Sequence, residues 1–119
     1  MEFRSGKKPE ELLKIILFHF SKKNDIVLDY HLGSGTTASV SHKLGRRYIG
    51  IEQMQSQIDL SLARLNNVIN GDSTGISKSV NWQGGGSFTY IELKKYNQTF
   101  VYKIVEAKDS KTLLEIWEE

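Results

Sequence analysis

Apolar residues recur at helical spacing in the first twenty positions of the chain. These positions are Leu12, Leu13, Ile16, Leu17 and Phe20. Pro9 suits the first turn of a helix, and the acidic Glu10 and Glu11 suit its N-terminus because they lie at the positive end of the helix dipole. The pattern therefore predicts a helix from about Pro9 to Ser21.

Two strand-to-helix units follow. The apolar run 26–28 is typical of a buried parallel strand, and a glycine-bearing turn leads from it into a helix predicted over Thr36–Leu44, with Gly45 as its stop. A second short strand over Tyr48–Ile51 precedes apolar positions at helical spacing from Met54 to Ile69. This alternation predicts an α/β fold with a parallel sheet. Two or three strands are fewer than an open nucleotide-binding sheet normally has, so the chain is expected to be part of something larger.

The C-terminal region has weaker signals. Residues 72–87 are polar and glycine-rich and are predicted to form a loop, after which the alternation in Ser87–Leu93 favours a strand. Residues 97–108 fit either a strand or a helix, and we favour a helix; Ser110 is expected to cap a last one. We expect a single domain, with a motif-bearing core over residues 1–71 and a loop, strand and helices over residues 72–119.

Composition excludes several classes of protein. The chain has no cysteine and no run approaching about 18 apolar residues, which excludes disulfide scaffolds, thiolate metal sites and a membrane span. A cytoplasmic location is expected by default. Sixteen Lys plus Arg against fourteen Asp plus Glu leave a net charge of +2, too little to neutralise many DNA phosphates. The three histidines lack the spacing of metal ligands, so no metal site is predicted.

The stretch Asp29–Ala38 has the features of a nucleoside-binding corner. Gly33 and Gly35 let the backbone turn sharply near a ligand, and the following helix directs unpaired N–H groups at it. Glu52 closes the second strand 17 residues after Gly35 and can accept ribose hydroxyl hydrogens. A phosphate-binding P-loop is disfavoured because the Gly-Lys-Ser/Thr ending is missing. Spacing alone leaves open a nicotinamide or flavin dinucleotide, or a turn with no ligand.

Two motifs in this region resemble those of a known family. Residues 26–29 followed by 33–37 resemble the S-adenosylmethionine-binding motif of amino-methylating DNA methyltransferases, and residues 5–13 resemble the Lys-Pro motif that precedes it. Residues 48–53 and 75–88 are similar to the C-terminal region of type III modification subunits. The resemblance covers nearly the whole chain. It implies part of a Rossmann-like methyltransferase fold, with an incomplete parallel sheet and flanking helices.

The resemblance also implies a set of cofactor-binding residues. They are Lys8, Pro9, Asp29, His31, Gly33, Ser34, Gly35, Thr36, Thr37 and Glu52. The loop 33–35 and the side chain of Asp29 would surround the methionine end of S-adenosylmethionine, Thr36 and Thr37 would open the helix beneath it, and Glu52 would bind the ribose hydroxyls. Lys8 and Pro9 would flank the pocket. His31 stands where the family usually has an aromatic residue, commonly Phe, and adds polarity to a flat ring.

The family methylates the adenine amino group with an Asp/Asn-Pro-Pro-aromatic motif, after the base is flipped out of the duplex. Pro9 is the single proline of this chain. The resemblance therefore implies a C-terminal piece of a larger adenine N6 methyltransferase, with no catalytic residues and no methyl transfer by itself. It implies double-stranded DNA, contacted through the missing N-terminal part, a restriction subunit and a second modification subunit as partners, and no membrane.

Two alternatives differ in class. The chain could be an assembly or dimerisation module without independent cofactor binding, with Trp82, Phe88, Tyr90 and Trp117 as interface anchors, although aromatic residues are more often in the core. It could also be part of a dinucleotide-dependent oxidoreductase. Cofactor preference separates the methyltransferase from the oxidoreductase, and concentration-dependent size without cofactor binding would favour the assembly module.

Overall fold

The structure is a computed structural model that describes residues 9–93 and 96–118. It forms two compact units, which divide after Phe88. The first unit has the predicted order of helix, strand, helix, strand and helix. Its elements are α1 (Glu10–Phe20), β1 (Ile26–Asp29), α2 (Thr36–Lys43), β2 (Arg47–Gly50) and α3 (Gln55–Ile69).

The two strands form a parallel sheet. Val27 pairs with Tyr48 and Leu28 with Ile49. Helix α2 connects the strands and packs against both of them, while α1 and α3 each pack against α2. The predicted α/β class, with an incomplete parallel sheet and flanking helices, is confirmed.

The core lies around α2, which is buried from Thr36 to Lys43 apart from the partly buried Thr37. Leu13 of α1, Val40 of α2 and Ile76 of the following loop form its apolar centre. Small side chains such as Ser39 and Ser41, both fully buried, let neighbouring elements approach this helix closely.

Glycines end two of the helices. Gly45 follows α2 with a φ of 69°, and the N–H of Arg46 donates to the carbonyl of Ser41 at 2.8 Å. Gly71 follows α3 with a φ of 80°. Both glycines have a left-handed backbone conformation, which residues with an L side chain rarely adopt. A residue in this conformation turns the chain away from the helix while the last carbonyls of the helix are satisfied. The predicted stop at Gly45 is confirmed.

The loop after α3 is held by hydrogen bonds rather than by a further strand. The indole N–H of Trp82 donates to the Val68 carbonyl at 2.7 Å, and the N–H of Gly85 donates to the Ile69 carbonyl at 2.8 Å. His42 lies between this loop and the sheet: its Nε2 is 2.8 Å from the Gly85 carbonyl oxygen and its Nδ1 is 3.0 Å from the Tyr48 hydroxyl.

The sequence predicts a buried strand, but one face of the sheet is exposed. Val27 and Tyr48 are partly buried on the side of α2, whereas large side chains on the other side remain more than half exposed. We call this set the open face; it consists of Ile26, Leu28, Ile49 and Ile51. Among the described residues of the first unit, no element covers it.

In its described residues, the second unit contains two helices, α4 (Tyr96–Glu106) and α5 (Ser110–Glu118), which pack against each other. The helix favoured over residues 97–108 is confirmed. The strand predicted over Ser87–Leu93 is wrong, because no neighbouring strand among the described residues pairs with this segment. No described helix is long and apolar enough to cross a membrane.

The cap of α5 also differs from the expectation. Ser110 is the first residue of the helix, and the side chain of Asp109 accepts the N–H of Thr112 at 2.8 Å. An N-cap side chain satisfies the N–H group three residues later, so Asp109 has the role predicted for Ser110. Hydrogen bonds from Thr112 and, to a lesser extent, from the backbone of Lys111 hold the pKa of Asp109 below its ordinary value.

Candidate cofactor-binding site

Asp29, the last residue of β1, fixes the turn that follows it. One carboxylate oxygen accepts the backbone N–H of His31 at 3.0 Å, and the other accepts the Thr37 hydroxyl at 2.6 Å. The side chain therefore connects the end of the strand to the first turn of α2. Each carboxylate oxygen retains one further acceptor position.

Glu52 receives three backbone N–H groups at the end of β2. Those of Met54 and Gln53 donate to Oε1 at 2.9 and 2.8 Å, and that of Gly33 donates to Oε2 at 2.8 Å. These hydrogen bonds, that of Met54 first and then those of Gly33 and Gln53, lower the pKa of Glu52. An ionised carboxylate has about four acceptor positions, so about one remains, on Oε2. Glu52 and the glycine turn are thus joined directly by a hydrogen bond.

The glycine turn has one open and one crowded position. A Cβ at Gly33 would meet nothing within 4 Å, so the chain borders open space there. A Cβ at Gly35 would lie 2.9 Å from the Ser61 hydroxyl oxygen, and the φ of Gly35 is 79°. Ser61 of α3 in turn donates to the Gly33 carbonyl at 2.7 Å. Helix α3 therefore supports the turn from behind and leaves Gly33 accessible.

The other predicted site residues are only partly brought together. Thr37 contacts Asp29, whereas the hydroxyl of the buried Thr36 accepts a hydrogen bond from Arg64 of α3 and faces the helix layer. Pro9 is exposed and directly precedes α1. Lys8 lies outside the described residues.

His31 is exposed, and its ring contacts that of Tyr30, with the centroids 4.8 Å apart at an angle of 53°. Among the described residues, no group of three or more His, Asp or Glu side chains could hold a metal ion. The imidazole therefore lies on the surface against another ring, beside the turn that Asp29 fixes.

A cavity of about 260 Å³ lies next to the turn. It includes Ser34 but neither Asp29 nor Glu52, and most of its other walls come from α3. The lining residues are Glu10, Ser34, Leu60, Ala63, Arg64, Asn67, Asp72 and Thr74. The site around Asp29 and Glu52 is instead an open corner, which we call the cofactor corner and define as Asp29, residues 33–37 and Glu52.

Sequence reasoning missed a buried charged cluster behind the corner. The ammonium of Lys43 lies 3.1 Å from a carboxylate oxygen of Glu10 and 3.1 Å from one of Asp72. It also donates to the Thr74 carbonyl, and Glu10 accepts the N–H of Ile76 at 3.0 Å. We call Glu10, Lys43 and Asp72 the acid–lysine cluster. Burial acts to raise the pKa of Asp72, but hydrogen bonds from Thr74 and Lys43 outweigh it and lower that pKa.

No periodic signal could have revealed this cluster. Glu10 fits a helix N-terminus and Lys43 fits a helix C-terminus, so each has a sufficient local explanation. Their contact depends on α1 packing against α2, which brings together residues 33 positions apart.

Comparison with known proteins decides the family. Residues 4–63, about half of the chain, match a family of DNA methylases, the N6/N4 methyltransferases. The chain belongs to this DNA methylase family. The predicted resemblance to modification subunits is also confirmed: the whole chain is 52% identical to a probable type III restriction-modification enzyme HindVI Mod subunit of Haemophilus influenzae.

The similarity covers only part of each relative. The chain spans 16% of the HindVI Mod subunit, and 64 of its residues are 48% identical to the type II methyltransferase M.HinfI of Haemophilus influenzae, covering 18% of that protein. Among solved structures, that of M1.HpyAVI in complex with SAM has a TM-score of 0.51 and 35% identity, covering 56% of this chain and 32% of that chain. The chain is therefore a small α/β piece that matches part of a larger fold.

Proposed function

We propose that the chain is the S-adenosylmethionine-binding portion of a site-specific DNA adenine N6 methyltransferase of a type III restriction-modification system. The observation that carries the proposal is the hydrogen bond from the Gly33 N–H to Glu52, because it holds a ribose-binding acid beside an open glycine turn. The ends of both parallel strands meet at this corner, where ligands bind in open α/β sheets.

The cofactor corner fits the shape and chemistry of a nucleoside. Glu52 is ionised at neutral pH and retains an acceptor position on Oε2 for a ribose hydroxyl. Glu52 can accept a second ribose hydroxyl only if one of its three backbone N–H donors is released or shares an acceptor position with that hydroxyl. Gly33 borders open space, and the first N–H groups of α2 lack partners within the helix, so the methionine end would lie along this turn. S-adenosylmethionine, when bound, supplies the methyl group.

Calorimetric titration with S-adenosylmethionine tests the proposal. We expect saturable binding that Glu52→Ala weakens by at least about tenfold, because a charged acceptor of a hydroxyl is lost. Glu52→Gln retains an oxygen on the same side-chain frame and is expected to bind with intermediate affinity. NAD, used as a competitor, should not displace S-adenosylmethionine.

Two controls separate loss of the site from loss of the fold. Glu92→Ala removes an exposed carboxylate from the second unit and should leave binding unchanged. Because Glu52 also holds three backbone groups, circular dichroism must show that Glu52→Ala is folded. If the folded wild-type chain does not bind S-adenosylmethionine, the proposed function fails.

The remaining parts of the reaction belong to residues beyond this chain. The single proline is Pro9, so no Pro-Pro catalytic motif is available to accept the adenine amino hydrogens. The net charge of +2 likewise leaves DNA binding to another part of the enzyme. Double-stranded DNA, a restriction subunit and a second modification subunit are the proposed partners of the complete assembly, supported by the similarity to a type III Mod subunit.

An assembly role is the second candidate, and the exposed apolar residues of the second unit favour it. Trp117 is 81% exposed and Val105 76% exposed, although the helices that carry them are packed against each other. Large exposed apolar side chains mark protein interaction sites. Concentration-dependent size in analytical ultracentrifugation, without S-adenosylmethionine binding, would support this candidate over the first.

A further inference from the structure

The hydroxyl of Ser61 connects α3 to the glycine turn. Helix α3 buries Ser61, Leu65 and Val68, which lie on one face of the helix. Ser61 is the polar member of this set, and it is only 4% exposed. A buried hydroxyl costs stability unless it forms a hydrogen bond, and that of Ser61 donates to the Gly33 carbonyl at 2.7 Å. The buried face of α3 therefore ends at the backbone of the cofactor corner.

Packing explains why residue 61 is small but not why it carries a hydroxyl. A Cβ at Gly35 would lie 2.9 Å from the Ser61 hydroxyl oxygen and 3.1 Å from its Cβ. Helix α3 thus approaches the turn too closely for a large side chain at either position. Alanine would occupy no more space than serine and has a higher helix propensity. The hydroxyl is therefore the feature of Ser61 that packing leaves unexplained.

Gly33 is held by hydrogen bonds on both sides. Its N–H donates to Oε2 of Glu52 at 2.8 Å, and its carbonyl accepts the hydroxyl of Ser61. A Cβ at Gly33 would meet nothing within 4 Å, so packing at that position does not restrain the residue. Glycine has the greatest backbone freedom of all residues, and the φ of Gly33 is 57°. The two hydrogen bonds therefore restrain both backbone groups of a residue that would otherwise change conformation easily.

We propose that Ser61 is a positioning residue for cofactor binding, because its hydroxyl holds the Gly33 backbone where the Gly33 N–H meets Glu52 and the turn stays open to the ligand. Ser61 acts through Gly33 and does not itself contact the cofactor. This inference rests on the proposed function for the identity of the ligand, S-adenosylmethionine. The restraint on Gly33 is a property of the chain alone, so it can be measured without the cofactor.

A turn that is restrained before binding raises the affinity for the ligand. When only a fraction of the molecules has the competent conformation, the apparent affinity is reduced by that fraction. Loss of one neutral hydrogen bond changes an equilibrium constant by about threefold to tenfold. We expect Ser61→Ala to weaken S-adenosylmethionine binding to the complete 119-residue chain by this factor. Binding should remain saturable, because Glu52 and the glycines are unchanged.

The ionisation of Glu52 reports on Gly33 without the cofactor. The backbone N–H groups of Met54, Gly33 and Gln53, in that order, lower the pKa of Glu52. Once the Ser61 hydroxyl is removed, the Gly33 N–H is held less firmly, so the pKa of Glu52 should rise towards its ordinary value. NMR titration of carbon-13-labelled glutamate carboxyl groups measures this change. A general loss of stability would leave that pKa unchanged in the folded chain.

Ser41→Ala is the matched control. Ser41 is fully buried in α2, and its hydroxyl has no hydrogen-bond partner among the described residues. The change therefore removes a buried hydroxyl, as Ser61→Ala does, but releases no backbone group of the turn. We expect this variant to retain the wild-type affinity for S-adenosylmethionine and the wild-type pKa of Glu52. Circular dichroism checks that both variants are folded.

The two readouts separate failure of this inference from failure of the proposed function. An unchanged pKa of Glu52 in folded Ser61→Ala would overturn the inference, and so would an affinity for S-adenosylmethionine equal to that of a wild type that binds it. If the pKa of Glu52 rises but the folded wild-type chain does not bind S-adenosylmethionine, the result contradicts the proposed function alone.

Amide hydrogen exchange of the wild type keeps the inference testable if Ser61→Ala does not fold. We expect the Gly33 N–H to exchange slowly without S-adenosylmethionine, because its backbone is already held by Ser61 and Glu52. Exchange at the rate of an unstructured peptide would overturn the inference, because it would mean that the turn is not ordered before the ligand binds.

Discussion

Gly85 and Gly86 have similar backbone conformations but different surroundings. Their φ values are 100° and 81°, yet a Cβ at Gly86 would lie 2.6 Å from Nε2 of His42, whereas one at Gly85 would meet nothing within 4 Å. We expect Gly86→Ala to lower the free energy of unfolding by about 1–3 kcal/mol more than Gly85→Ala, because both variants have a left-handed backbone strain and only Gly86→Ala also overpacks. Urea unfolding measures the difference. Equal losses of stability in the two variants would mean that the His42 ring moves aside without cost.

The His42 ring explains why this contact is sensitive. The Gly85 carbonyl can only accept a hydrogen bond, so Nε2 of the neutral ring carries the proton and Nδ1 accepts from the Tyr48 hydroxyl. The ring also meets that of Trp82 edge-on, with centroids 5.4 Å apart. A single orientation of His42 therefore connects α2, β2 and the loop after α3.

Tyr48 makes the stability of the first unit sensitive to alkaline pH. Burial raises the pKa of Tyr48 from 10.0 to about 12. Below pH 10 the tyrosine is protonated in both the folded and the unfolded state, so its contribution to the free energy of unfolding is fully present. As the pH rises towards 12, the unfolded state loses the proton first and the contribution is lost.

We expect the free energy of unfolding to fall more steeply between about pH 10 and 12 in the wild type than in Tyr48→Phe. Chemical denaturation at several pH values measures the two slopes. Tyr102→Phe, which alters a tyrosine that is 60% exposed, should retain the wild-type slope. Identical slopes for the wild type and Tyr48→Phe would contradict the assignment.

At the scale of elements, the acid–lysine cluster connects α1, α2 and the loop at Asp72. The Lys43 side chain is fully buried, and those of Glu10 and Asp72 are only 13% and 16% exposed. We expect Lys43→Met to destabilise the chain by about 3–5 kcal/mol, because two buried carboxylates lose their cation. Thermal denaturation followed by circular dichroism checks this.

Lys14→Met is the comparison for that experiment. Lys14 forms an ion pair with Glu11 at 3.0 Å, but the glutamate is 61% exposed. Exposed pairs contribute about 0–1 kcal/mol, so this variant should be close to the wild type. A similar loss in both variants would indicate that burial of Lys43 is not what makes the cluster important.

The elements with local signals could be predicted from the sequence, and the others could not. Periodic apolar positions and Gly45 gave the helices and strands of residues 10–69 within a few residues. The alternation of Ser87–Leu93 led to a wrong strand, because strand formation needs a partner that a local pattern does not contain. Asp109 and Ser110 are both good caps, and only the hydrogen bond to Thr112 distinguishes them.

The same limit applies to the candidate site. The positions of Asp29 and Glu52 at strand ends followed from the alternation of strand and helix, because parallel strands end at the same edge. Their hydrogen bonds to His31 and Gly33 required coordinates. The exposure of Leu28 was missed because an apolar run indicates that a strand is covered but not whether the covering element belongs to the same chain.

For the molecule as a whole, we expect no methyl transfer to DNA by the isolated chain. The reason is the lack of a Pro-Pro motif to hold the adenine amino group, with Pro9 as the single proline. Incubation with tritiated S-adenosylmethionine and duplex DNA measures transfer, and the intact Mod subunit serves as the positive control. Radioactivity incorporated into DNA above background would refute this expectation.

The contacts that α1 makes with Ile76 also set when the first unit can finish folding during translation. Glu10 accepts the N–H of Ile76, which is 66 residues further along the chain, and Leu13 packs against the Ile76 side chain. At a ribosomal rate of about 5–20 residues per second, roughly 3–13 s separate the synthesis of these partners. During that interval Leu13 can pack against Val40, but α1 lacks the Ile76 side chain and the Ile76 N–H that donates to Glu10. A nascent chain that ends before Ile76 therefore leaves Leu13 and Glu10 only partly covered, and more accessible to chaperones and proteases than in the folded unit.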